Sequence, residues 1–147
     1  MNDIRKNVFY PYPPELVWRA LTEPGLLADW LMANDIVPRV GSRFAFTMPA
    51  RPGFSGIIDC EVLEADAPRR LVYSWAGRGS KAPPQRVTWV LAREANGTRL
   101  TLEHTGFDGL LGYFLRAMMN GGWGRKLTNP AFFTRALQRA AAETQAP

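Results

Sequence analysis

The hydrophobic period changes several times along the chain, and each change marks a change of structure. Ile4, Val8 and Tyr10 alternate with polar neighbours, which predicts a first strand stopped by Pro11, Pro13 and Pro14. Behind Pro14, a residue suited to a first helical turn, Leu16, Val17, Ala20 and Leu21 recur at helical spacing. Pro24 ends that helix and opens another, whose apolar stripe is Leu26, Leu27, Trp30 and Leu31. From Asp35 the period is two. Phe44, Phe46 and Met48; Gly56, Ile58, Cys60 and Val62; Leu71, Tyr73 and Trp75; Val87, Trp89 and Leu91; and Leu100, Leu102 and His104 each alternate with polar or small residues, so each run offers one face to a common interior.

The links between these runs are short. Ala67-Pro68 joins two of them, Asn96-Gly97 reads as a tight hairpin turn, and residues 77–85 form a longer loop carrying Pro83 and Pro84. The result is an antiparallel meander of six strands, or seven if residues 35–38 pair. After Gly106 the spacing becomes helical again. Asp108 is placed to cap a piece holding Leu110, Leu111, Phe114, Leu115 and Met118, which Asn120, Gly121 and Gly122 are expected to end. Trp123, Leu127, Phe133, Leu137 and Ala141 carry a further stripe that Pro130 interrupts. One long helix kinked at Pro130 and fraying near Glu143 is the favoured reading; a fresh helix capped by Asn129 with Pro130 in first position is the other.

Composition narrows what such a chain does. The 147 residues fit one domain, which at this length buries roughly 68–70% of the surface its unfolded chain exposes. Cys60 is the only cysteine and lies in an apolar run, so no disulfide framework or zinc-binding thiolate cluster is expected and a cytoplasmic setting follows. No signal peptide is read in the first thirty residues, and the apolar stretch around residues 110–119 is too short and too interrupted to span a bilayer. The net charge of +5 comes mostly from scattered arginines; only residues 69–86 are locally basic. With the aromatics at inward positions rather than interleaved with cations, nucleic acid is not an expected partner. Arg78, Lys81 and Arg86 are instead a candidate contact for an acidic protein.

Few residues offer chemistry. His104, the sole histidine, shares a face with Leu100 and Leu102 and reads either as a donor or acid facing a ligand or as a buried neutral imidazole bonded to backbone or to Tyr73. No serine sits in a nucleophile-elbow context, and Glu103 points away from His104 on the strand, so neither a triad nor a metal site is expected. The stretch Gly77-Arg78-Gly79-Ser80-Lys81 lacks the spacing and strand-to-helix context of a phosphate loop and reads as a flexible hairpin. Glu61 is expected on the outer face with Asp59; a bulge near Gly56 would turn it inward as an acid candidate. The inward rings imply either a dense core or a ligand-sized hollow, and the flexible thioethers of Met118 and Met119 suit an adaptable wall.

The order of elements resembles the START-like, or Bet v 1-like (SRPBCC), helix-grip fold. Motifs along nearly the whole chain look like the branch named for the C-terminal domain of the activator of heat-shock-protein-90 ATPase: Pro14 with Val17-Trp18, Trp30-Leu31, Val40-Gly41 before Phe44, Pro68 with Arg70-Leu71, Tyr73, Trp75, residues 97–102 reading GTRLTL, His104, Gly106 and Gly122-Trp123. Ser42 stands where that family usually repeats a glycine, and Pro130 where an apolar helix residue is expected. The resemblance implies an α+β domain over residues 1–147, with a curved antiparallel sheet wrapped on a long C-terminal helix and two short helices after the first strand. It further implies a cavity between sheet and helix, lined here by Phe44, Phe46, Ile58, Tyr73, Trp75, Trp89, His104, Met118, Trp123 and Leu127, that holds a hydrophobic or aromatic small molecule without cofactor, metal or catalytic residue. Two other roles follow from it: a chaperone-associated module, and a polyketide cyclase-like enzyme using His104 and Tyr73 as an acid-base pair. A monomer and a homodimer both remain open.

Overall fold

The computed structural model describes residues 3–145. Strand β1 (Ile4–Tyr10) is followed by helices α1 (Pro14–Thr22) and α2 (Pro24–Trp30), then strands β2 (Ala33–Asn34), β3 (Arg43–Thr47), β4 (Ile57–Asp66), β5 (Arg70–Gly77), β6 (Gln85–Glu94) and β7 (Gly97–Thr105), and finally helices α3 (Gly109–Thr128) and α4 (Phe133–Gln145). All seven strands join one curled antiparallel sheet in the order β1-β7-β6-β5-β4-β3-β2, so the meander is sequential and β1 closes it beside β7. The seventh strand is not residues 35–38. It is Ala33–Asn34, which pairs with Thr47 and Phe46.

Strand parity matches the inner face: Phe44, Phe46, Ile58, Cys60, Val62, Leu71, Tyr73, Trp75, Val87, Trp89, Leu91, Leu100, Leu102 and His104 are all buried. The register shift in β4 falls between Val62 and Glu64, near the strand's middle, where an extra residue increases local twist and helps curl the sheet. Gly56 carries no such shift, and Glu61 stays on the outer face, with Arg43 at 3.7 Å.

The hairpin between β6 and β7 turns one residue earlier than its Asn-Gly pair suggests. Glu94 pairs with Gly97, so Ala95 and Asn96 form the turn and Ala95 takes the positive φ of 49°. Gly97 serves a different need. A Cβ there would lie 2.2 Å from the carbonyl oxygen of Tyr10 and 3.0 Å from the Cα of Pro11, so only glycine lets the end of β1 approach β7.

Helix α3 passes straight through Asn120, Gly121 and Gly122. A helical glycine costs about 1 kcal/mol relative to alanine, but Trp123 and Leu127 immediately beyond are buried and anchor the segment. The helix does stop before Pro130, and it breaks rather than kinks. A residue preceding proline is disfavoured in the helical region, and Asn129 is extended at ψ 124°. Its side-chain oxygen then accepts from the Ala131 amide at 3.0 Å, and α4 starts at Phe133. The break lets α4 leave the sheet and cover α1 and α2. Phe133 packs edge-on against Trp30 at 4.8 Å, and the Tyr10 hydroxyl donates to the Leu127 carbonyl at 2.6 Å.

Gly97→Ala is expected to destabilise the domain by about 2 kcal/mol or more, because the clash is with backbone that cannot rotate away. Gly25→Ala, whose added carbon meets nothing within 4 Å, is expected to be neutral or mildly stabilising. Denaturant midpoints of the two variants check the contrast.

Candidate functional site

Helix α3 meets the rest of the molecule chiefly through its last turns, where Trp123 and Leu127 are buried. Trp123 sits among Trp30, Trp75 and Trp89, with ring centres 6.4, 5.7 and 5.5 Å away. Toward its N-terminus one face keeps contact, with Gly112 buried against Phe107 and Leu115 and Met119 packed on the core, while Leu110, Leu111, Tyr113, Phe114 and Met118 are all exposed. The overhang leaves a cavity of about 480 Å³.

Four parts of the chain wall it. Ile58, Trp75, Ala76 and Gly77 come from the sheet; Leu31 and Met32 from the end of α2; Met48 and residues 51–54 from the β3–β4 loop; and Ser80, Ala82, Pro83 and Gln85 from the β5–β6 connection and the start of β6. Leu115, Met118, Met119, Gly122, Trp123 and Lys126 form the roof. The β3–β4 loop holds its shape because Arg51 and Phe54 bond each other's backbone at 2.9 and 2.8 Å. All four methionines beyond Met1 line the cavity, which gives it a soft, polarizable surface able to fit more than one shape.

Behind the lining runs a polar chain of two hydrogen bonds. The Trp123 indole donates from Nε1 to His104 Nδ1 at 3.0 Å, so Nδ1 carries no hydrogen and Nε2–H donates to Gln85 Oε1 at 2.9 Å. His104 has no exposed surface, and burial lowers its pKa from 6.5 to about 3. Protonation at Nδ1 would also set two donors against each other. Nearby, the Trp89 indole donates to the Tyr73 hydroxyl at 3.0 Å, and burial pushes that phenol well above its ordinary range. His104 and Tyr73 are therefore each paired with a tryptophan, not with one another.

Of the ten residues expected to line the cavity, Ile58, Trp75, Met118 and Trp123 do so. Phe44, Phe46, Tyr73, Trp89 and Leu127 are instead in the solid core, and His104 is buried off the lining. Phe44 packs edge-on against Phe46 and Tyr73 at 5.4 and 5.2 Å, and Trp30 fills the space over Trp89 at 6.0 Å. The hollow is displaced toward the loop end of the sheet, where rings from α2 and α4 do not reach. Alternation turns Met48 inward without assigning it to the site; Met32 and the two loops escape such a reading because they have no period, and Gln85 and Lys126 because they are polar residues at the edge of β6 and on α3. The proline and methionine content of residues 48–52 was the available signal. Of the three candidate basic contacts, Arg78 is held by Asp59 at 2.6 Å, while Lys81 and Arg86 form no ion pair with a described residue.

Since His104 is depressed in the folded state, the unfolded chain binds the extra proton between about pH 3 and 6.5. Its contribution is fully present above pH 6.5 and is lost as pH falls, at about 1.4 kcal/mol per unit. As the chain holds no other histidine, stability between pH 6.5 and 5 should carry this slope and His104→Gln should flatten it. Urea unfolding across that range checks both.

No curated protein sequence matches the chain. Among solved structures it is similar to a protein from Mesorhizobium loti, at 30% identity over 98% of this chain and 99% of that one with a TM-score of 0.78. It also resembles CalU16 from Micromonospora echinospora, at 26% identity over 96% and 84% with a TM-score of 0.70. The Aha1 dimer from Colwellia psychrerythraea shares the fold, at 20% identity over 86% and 91% with a TM-score of 0.71. The family profile described as activator of Hsp90 ATPase homolog 1-like protein matches residues 11–129. With its curled sheet, its helices after the first strand and that match across most of its length, the chain belongs to the activator of Hsp90 ATPase homolog 1-like family.

Proposed function

We propose that the protein binds a hydrophobic or aromatic small molecule beneath α3 and does not transform it. The observation that carries this reading is the cavity itself: about 480 Å³, within the 300–1,000 Å³ usual for small-molecule sites, and walled mostly by methionine, aromatic and aliphatic side chains. Neither His104 nor Tyr73 is on its lining, and both are already hydrogen-bonded, which favours binding over acid-base catalysis of the polyketide cyclase kind. A chaperone-associated role draws on the family description alone. No described helix is long and apolar enough to cross a membrane. Cys60 is free and buried, which supports a reducing, cytoplasmic setting.

Gly122 offers a direct test. It lies within α3 on the cavity wall, and a Cβ added there meets nothing within 4 Å. Gly122→Ala should raise stability by about 1 kcal/mol. Gly122→Leu should keep the fold, project into the hollow and weaken binding of any ligand by about tenfold or more. Saturable quenching of tryptophan fluorescence by a panel of lipids, flavonoids and polyketides measures this, because Trp75 and Trp123 both line the cavity. Unchanged binding in the leucine variant, or no response from the whole panel, would contradict the reading.

A further inference from the structure

The cavity's polar side chains are unequal in sign. No aspartate or glutamate lines it, whereas Arg51 and Lys126 do. Neither cation is within ion-pair distance of a carboxylate of a described residue. Lys126 is half-buried on the last turns of α3, with its ammonium 4.1 Å from the centre of the Phe132 ring. A cation over a ring keeps its donors available, since the ring's face offers charge attraction and no lone pair. Burial, and then the neighbouring Arg125, lower the Lys126 pKa, so an anion placed beside it would restore the charge that its surroundings oppose.

Gln85 adds a second, more rigid donor. Its carbonyl oxygen is taken by His104, whose tautomer Trp123 fixes, so the carboxamide cannot flip without setting NH₂ against N–H. The amide nitrogen is thus the group left over, and no described residue accepts from it. Gln85 is buried and lines the cavity, so that nitrogen is a preset donor for a ligand oxygen.

We infer that the ligand is an apolar body bearing an anionic, acceptor-rich head of the carboxylate type, with Lys126 meeting the charge and the Gln85 amide orienting an oxygen. This rests on the cavity being a binding site. The methionines and rings select the body weakly, because apolar surface discriminates little. The head is selected strongly, because a neutral or cationic group there leaves Lys126 opposed or uncompensated.

A matched pair of fluorescent probes tests it: 8-anilinonaphthalene-1-sulfonate, and N-phenyl-1-naphthylamine, which has the same rings without the anion. The wild-type protein at physiological salt should bind the sulfonate about tenfold more tightly than the neutral amine. Lys126→Met should bring the two within about twofold by weakening the sulfonate alone, while Lys126→Arg keeps the preference. Both probes should bind about tenfold or more weakly in Gly122→Leu. Equal affinities in the wild type, an unchanged preference in Lys126→Met, or sulfonate affinity unchanged in Gly122→Leu would each overturn the inference. If the neutral probe binds in the cavity without any preference for the anion, the binding reading stands and this one falls; if neither probe binds, both fall.

Discussion

The attachment of α3 through Trp123 is the contact on which the rest of the architecture depends. One indole touches Trp30 from α2, Trp75 and Trp89 from the sheet, and hydrogen-bonds His104 on β7. A ring of this size removes roughly 150–250 Å² from water, or about 4–6 kcal/mol gross at 25 cal/mol per Å². That is enough to hold a helix interrupted by Gly121 and Gly122 in one place. With Leu127 a turn later, it pins the C-terminal end of α3, while the N-terminal turns touch the core through Gly112, Leu115 and Met119. The cavity and the exposed apolar face of α3 are two sides of that single attachment.

The polar chain from Trp123 to His104 to Gln85 ties this anchor to the site's chemistry. Its first bond fixes a neutral tautomer, its second fixes an amide orientation, and both are shielded from water. A buried network of this kind is stable only when every member is satisfied, and Gln85, which ends the chain, lines the hollow. Rigid polarity at the floor is combined with methionines at the wall. The combination suits a site that is strict about a ligand's polar end and permissive about its body.

Much of the fold was legible from periodicity. Alternation identified the inner face of every long strand, and Pro14 and Pro24 marked the two short helices, because burial on one face of a pleated sheet leaves a direct trace in sequence. The seventh strand was misplaced since two residues carry no period. The Ala95–Asn96 turn was misplaced since Gly97 advertises a turn while answering a close approach by Tyr10. The C-terminal segment was read as one kinked helix because Trp123, Leu127, Phe133 and Leu137 keep a common stripe across the break; the conformational limit on Asn129 before Pro130 outweighs that continuity. The site was the least legible part. Inward rings signal burial equally well when they fill a space and when they surround one, and here most of them fill it. The cavity walls come largely from two loops and an overhanging helix, whose positions are set by tertiary contacts.

The central claim, that a largely apolar hollow persists beneath α3, is tested most directly with methyl-labelled methionine and xenon. Xenon enters empty apolar cavities and shifts the resonances of the methyl groups lining them. Met32, Met48, Met118 and Met119 all line this one. Saturable shifts at those four methyl groups are the predicted result. Four resonances indifferent to xenon, or drifting together in proportion to pressure without saturating, would contradict it.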